Sequence, residues 1–211
     1  MEGAHASLKK QLEEIAAEKA PGPSPSFSVL HVLLAIEYVA ENPTGRKQLA
    51  EMLGVGEGVA RTIIERLRAA RLVAVSREGC FLTEEGLRLH KRYGEALSKA
   101  EIGKNELTLA DSNVAVLVRN CVQRVRSGME QRDEAVRMGA KGATTLLFRN
   151  GRLRLPSSDI DVDRTYPRFT KEAMNVLRPR DNDVMIVVSA ETRTRAELGA
   201  LAAAWTVLNC S

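Results

Sequence analysis

RKQLAEMLGVGEGVARTIIERLRAARLVAVSREGCFLT, residues Arg46–Thr83, carries the local signals from which the rest of the chain is read. Leu49, Ala50 and Leu53 fall at helical spacing over Lys47–Leu53, and Gly54 ends that helix. In the turn Gly54-Val55-Gly56-Glu57-Gly58 the glycines suit a helix C-cap and the next N-cap, with Val55 as an apolar plug. A second helix, Glu57 to Arg71, puts Val59, Ala60, Ile63, Ile64, Leu67 and Ala70 on one stripe. Its other face carries Glu57, Arg61, Thr62, Glu65 and Arg68, with Arg66 at the margin. Leu72–Val75 and Cys80–Thr83 then read as a short hairpin about Ser76–Gly79. Thr83 can cap a further helix, whose first residues Glu84 and Glu85 complement its positive end.

Helix, turn, helix and hairpin in this order resemble the winged helix-turn-helix regulators of archaea and bacteria, whose recurrent tail reads here as Leu72, Val73, Gly79, Leu82, Thr83 and Gly86. The resemblance covers roughly residues 27–97 and implies a DNA-binding transcriptional regulator whose second helix enters the major groove of duplex DNA. Glu57, Arg61 and Thr62 are then expected near base edges, with Arg61 bidentate to guanine. Arg46, Lys47, Arg66, Arg68 and Arg77 are expected at phosphates. The Thr44-Gly45 helix start offers free backbone N–H groups to the same anions. A homodimer would read half-sites about one helical turn apart.

Composition narrows the classes. Aromatic residues make up 4% of the 211, too few for single-strand stacking platforms. No apolar run is long enough for a membrane span and no signal-peptide centre is present, so a cytoplasmic protein without a membrane partner is expected. Cys80, Cys121 and Cys210 are scattered and read as buried reduced thiols, and His5, His31 and His90 are isolated, so no metal site is expected. Net charge is +4, yet residues 27–97 hold ten basic and nine acidic side chains. DNA binding must therefore rest on local clustering of arginines rather than on a basic domain. That near-neutrality, with Glu57 and Glu65 on the supposed groove face, supports the alternative of a protein-protein interaction module without sequence-specific DNA binding.

Before the winged segment, Leu8, Leu12 and Ile15 mark a helix over Ala6–Ala20, solvated or packed in a dimer, and Pro21–Ser26 is a stiff linker. A nearly all-apolar helix from Phe27 through Val39, capped by Ser26 or Ser28, should be buried. After the hairpin, one long helix is predicted from Glu84 to about Glu101, which sets the domains at 1–26, 27–101 and 113–211. From Asn113 the order becomes β-α-β-β-α-β-α, including a hairpin about Asn150-Gly151. The expected fold class is α+β: the winged segment followed by a two-layer domain, ferredoxin-like or of a related antiparallel topology, that dimerises or senses an effector.

The stretch Gln131–Thr145 resembles that of an uncharacterised archaeal family joining a winged helix to a C-terminal α+β domain; the resemblance extends over most of residues 27–209. It implies fold and regulation, and no catalytic residues. Here Arg132, Asp133 and Arg137, with Gly139 and Gly142, form a candidate small-molecule corner where backbone N–H groups could bind an anion. Phosphate-loop and dinucleotide fingerprints are missing, so no cofactor and no enzymatic activity are expected. Asp159, Asp161 and Asp163 mimic a calcium loop but lack its glycine and its final glutamate.

Overall fold

The computed structural model describes residues 2–17 and 26–208, and within the first helix the side chains from Leu8 onward. Of the linker Pro21–Ser26 only Ser26 is described, and Cys210 lies outside the described residues. The chain forms two compact units, Met1–Gly94 and Glu95–Ser211.

In the first unit α1 (Glu2–Ala16) is followed by α2 (Val29–Glu41), α3 (Arg46–Leu53), α4 (Glu57–Ala69), the antiparallel hairpin β1 (Val73–Ser76) and β2 (Gly79–Leu82), and α5 (Glu84–Ala96). Leu8, Leu12 and Ile15 are buried as α1 packs on α2 and α4. The expectation of a solvated or dimer-packing helix is thus corrected: its apolar stripe finds its partners within its own unit. α2 opens at Ser28, whose backbone N–H donates to His31 Nδ1 at 3.2 Å, a capping box with histidine in the third position. Burial lowers the His31 pKa, in keeping with an imidazole that accepts here.

Three glycines set the geometry of the helix pair and hairpin. Gly54 ends α3 in the left-handed region at φ 66°. Gly79, at φ 130°, lies so close to Thr44 that a Cβ there would stand 2.6 Å from the Thr44 carbonyl carbon. That approach lets Thr44 and Cys80 exchange two backbone hydrogen bonds of 2.9 Å, tying the hairpin to the start of α3. At Gly86 a Cβ would fall 2.1 Å from the Leu72 oxygen. Thr83 Oγ1 donates to Arg71 O at 2.6 Å and accepts from Gly86 N at 3.1 Å, the cap expected of it.

The second unit is built on a five-stranded antiparallel sheet of order β3-β4-β7-β5-β6: β3 (Leu97–Glu101), β4 (Ser112–Val118), β5 (Gly142–Arg149), β6 (Arg152–Arg154) and β7 (Val184–Ala190). Of its helices, α6 (Met129–Arg137) packs on β5, and α9 (Arg193–Val207) on β4 and β7. The core that holds Ala115, Leu117, Met185 and Val187 includes Val162 of α7 (Val162–Thr165) and Phe169, Ala173 and Leu177 of α8 (Pro167–Leu177). Helices therefore cover both faces. Three expectations are corrected, the first being the two-layer arrangement, since helices lie on both faces of the sheet. The helix from Glu84 stops at Ala96, and Leu97–Glu101 pairs with β4 as an edge strand instead of prolonging it. Of the two expected topologies the ferredoxin-like one is excluded and the sheet is of another antiparallel order: the last strand, β7, lies between β4 and β5, where a ferredoxin-like sheet would have the hairpin strand β6. β6 is three residues long with two exposed arginines and suits an edge, whereas every residue of β7 is buried.

Candidate nucleic-acid interface

Between the start of α3, the outer side of α4 and the hairpin lies an open groove of about 440 Å³. Arg46 enters it from α3, Arg61 and Arg68 from α4 and Arg77 from the hairpin, while Glu65 and Glu78 are the carboxylates in its lining. The arrangement follows from local sequence. Arg61, Glu65 and Arg68 fall at i, i+4 and i+7 and so share one helical face, opposite the buried Ala60, Ile63 and Leu67. The two-residue turn Arg77-Glu78 projects its side chains from the hairpin tip. Cys80 forms part of the floor; burial pushes its thiol pKa up, against the opposing charge of Arg68.

The arginines differ in what they already hold. Arg46 Nη2 lies 3.1 Å from Glu57 Oε2, and Arg61 Nε 2.8 Å from Glu65 Oε1; all four side chains are more than half exposed. Its bond to Glu65, and then that carboxylate's charge, raises the pKa of Arg61. Thr62 donates its hydroxyl to Gly58 O at 3.1 Å. All three residues expected at base edges, Glu57, Arg61 and Thr62, thus have intramolecular partners. Arg68, Arg77 and Lys47 are exposed and have no carboxylate within ion-pair distance among the described residues; Lys47 does not line the groove.

Arg66 is placed differently from the expectation. Its Nη1 donates to the carbonyls of Ala16 and Ala17 at 2.5 and 2.8 Å, and its guanidinium lies 4.8 Å from the centroid of the Phe27 ring. A cation at those carbonyls satisfies acceptors that α1 leaves unpaired and complements the negative end of its dipole. Arg66 therefore anchors α1 rather than lining the groove with the other arginines.

In the second unit Arg132, Asp133 and Arg137 are exposed on α6, and Arg137 is paired with Glu134. The glycine corner does not offer a row of free donors. Gly139 N–H bonds Val136 O at 2.9 Å, Ala140 N–H bonds Ala135 O at 3.1 Å and Lys141 N–H bonds Ser189 O at 2.8 Å. Gly139, at φ 89°, reverses the chain after α6, and Gly142 begins β5 opposite Ser189. These three backbone donors are therefore already used within the fold. Asp161 accepts from Arg164 N at 3.2 Å as the cap of α7. Cys80 and Cys121 are buried, and the Cys121 thiol donates to Arg119 O at 3.1 Å.

Glu65 as the partner of Arg61 could have been read from the i, i+4 spacing, and Glu78 from its place in the hairpin turn. The anchoring of Arg66 could not, since its partners lie about fifty residues away.

Comparison with known proteins agrees with this division. Residues 29–88 match the family described as PH0730-like, N-terminal domain, and residues 109–207 match a domain of unknown function, DUF4443. Among solved structures, the chain is similar to the hypothetical protein PH0730 from Pyrococcus horikoshii OT3. That match has 27% identity and a TM-score of 0.73, and it covers 86% of this chain and 93% of that one. No curated protein matches. Among the described residues, no helix is long and apolar enough to cross a membrane.

Proposed function

We propose that the first unit is a winged helix that binds duplex DNA through the groove face, and that the chain serves as a transcriptional regulator. The observation that carries this reading is the convergence of Arg46, Arg61, Arg68 and Arg77 from three elements on one open concavity. Arginine forks suit phosphate oxygens, and free backbone N–H groups at the α3 start at Gly45 suit the same anions. α4 supplies the helix for the major groove and the β1–β2 turn supplies the wing. In a dimer, two such faces would meet half-sites about one helical turn apart; Leu87, 54% exposed on α5, is an apolar position open to a second copy.

Fluorescence anisotropy of the full chain with a short duplex, over a range of salt, tests the proposal. Affinity should fall linearly on a log–log scale as salt rises, because bound phosphates release counterions. Absence of binding at low salt would end it.

A second reading, a protein-docking surface, is favoured by the carboxylates that interrupt the positive stripe at Arg46 and Arg61 and by Phe81, 39% exposed on β2. It requires that duplex affinity be absent while the folded unit is intact.

A further inference from the structure

Three of the four groove arginines lie on two short elements, yet they are not equivalent. Arg68 and Arg77 face the groove without a carboxylate partner among the described residues, whereas Arg61 is held by Glu65 at 2.8 Å, one turn further along α4. The Glu65 side chain is 56% exposed and that of Arg61 is 65% exposed, so the pair is solvated and can exchange. A carboxylate offers the same two-oxygen geometry to a guanidinium that a phosphate does. Glu65 holds Arg61 through Nε, so a phosphate or base edge that takes the Nε–Nη fork of Arg61 bidentately must displace Glu65. Glu78 lies in the same groove and forms no ion pair among the described residues, so it contributes to the field without occupying an arginine.

We propose that Glu65 is a positioning residue that holds Arg61 back from nucleic acid, an internal stand-in for phosphate. The unliganded groove then engages duplex DNA first through Arg68 and Arg77, and Arg61 offers its bidentate Nε–Nη fork only after leaving Glu65. This rests on the duplex-binding reading above and adds to it a specific competitor. Wild-type binding is tempered by an ion pair within one helix, and contacts by Arg61 come at the cost of that pair.

The test compares wild type, Glu65→Gln, Glu78→Gln, Arg61→Ala and the double variant Arg61→Ala/Glu65→Gln by anisotropy with one duplex across a salt series. Thermal melting confirms that each variant is folded. Glu65→Gln should tighten binding roughly two- to fivefold, the worth of one exposed ion pair, and more than Glu78→Gln does. The log–log salt dependence should steepen by about one phosphate contact. In the Arg61→Ala background the gain from Glu65→Gln should shrink to that of Glu78→Gln. If wild type binds but Glu65→Gln gives no gain, or a gain equal to that of Glu78→Gln and independent of Arg61, the proposal is overturned and the duplex-binding reading stands. If no variant binds duplex at low salt, the reading falls and the proposal with it.

Discussion

The carboxylates of the groove face and those that brace the central sheet of the second unit pair with cations under opposite conditions. On the groove face Glu57 and Glu65 are more than half exposed, so their pairs with Arg46 and Arg61 compete with water and can give way to a ligand. In the second unit the Asp183 side chain is 3% exposed. It accepts from Arg119 Nη1 at 2.7 Å, Arg180 N at 2.8 Å and Asn120 N at 2.9 Å, binding the end of β4 to the start of β7. Glu197, 5% exposed, meets Lys99 of β3 at 3.1 Å and so fixes the edge strand to α9. The same pairing is thus locked at Asp183 and Glu197 and exchangeable with solvent at Glu57 and Glu65.

The sharpest way to break this contrast is to remove the buried partner. Asp183→Ala should cost about 3–5 kcal/mol in urea unfolding, because the Arg119 charge and two backbone donors lose their acceptor together. A loss below about 1 kcal/mol would mean that water replaces the carboxylate freely.

In the first unit the comparable cost should come from backbone contact rather than charge. Gly86→Ala places a methyl 2.1 Å from the Leu72 oxygen and should destabilise by roughly 2–3 kcal/mol, read from the denaturation midpoint.

Acid should separate the units further. The folded pKa of His31 lies below its ordinary value of 6.5, so the unfolded chain takes up the proton first. Its contribution is full above 6.5 and is lost as pH falls through that value toward the folded one. Glu106 behaves in the lower range. Desolvation raises its pKa, but backbone donors at Phe169 and Arg168 and the Arg168 side chain outweigh this and hold it at about 2, against 4.5 when free. Its contribution is full above 4.5 and is lost as pH falls toward 2. Amide exchange should therefore show α2 loosening in mild acid, an effect that His31→Gln reduces, while the α8 start holds until lower pH, an effect that Glu106→Gln reduces.

The smallest effect belongs to the exposed pair. Glu65→Gln should change unfolding stability by no more than about 0.5 kcal/mol. A larger loss would make the Arg61–Glu65 pair structural, like that of Asp183.

Much of the fold was legible where local chemistry decides it. Asn150 and Gly151 both adopt positive φ, 53° and 74°, as their hairpin turn requires, and Gly54 and Thr83 cap the helices they were read to cap. Leu97–Glu101 was not legible. LSKAE has no strong alternation and follows a helical pattern, so pairing with β4 overrides local preference. The order of the sheet was hidden because a strand's neighbours are chosen by long-range burial. At the candidate site the residue types on α4 were readable. Which arginines were already engaged was less so, since Arg46 meets Glu57 from another helix and Arg66 reaches back to α1.

The most direct measurement is duplex affinity against salt for wild type and Arg68→Ala/Arg77→Ala. Wild type should bind with a linear log–log dependence, and the double variant should lose affinity for every duplex tested, its slope reduced by about 2. Binding that is unchanged in strength and slope, or no binding by wild type at low salt, would contradict a phosphate-anchored groove.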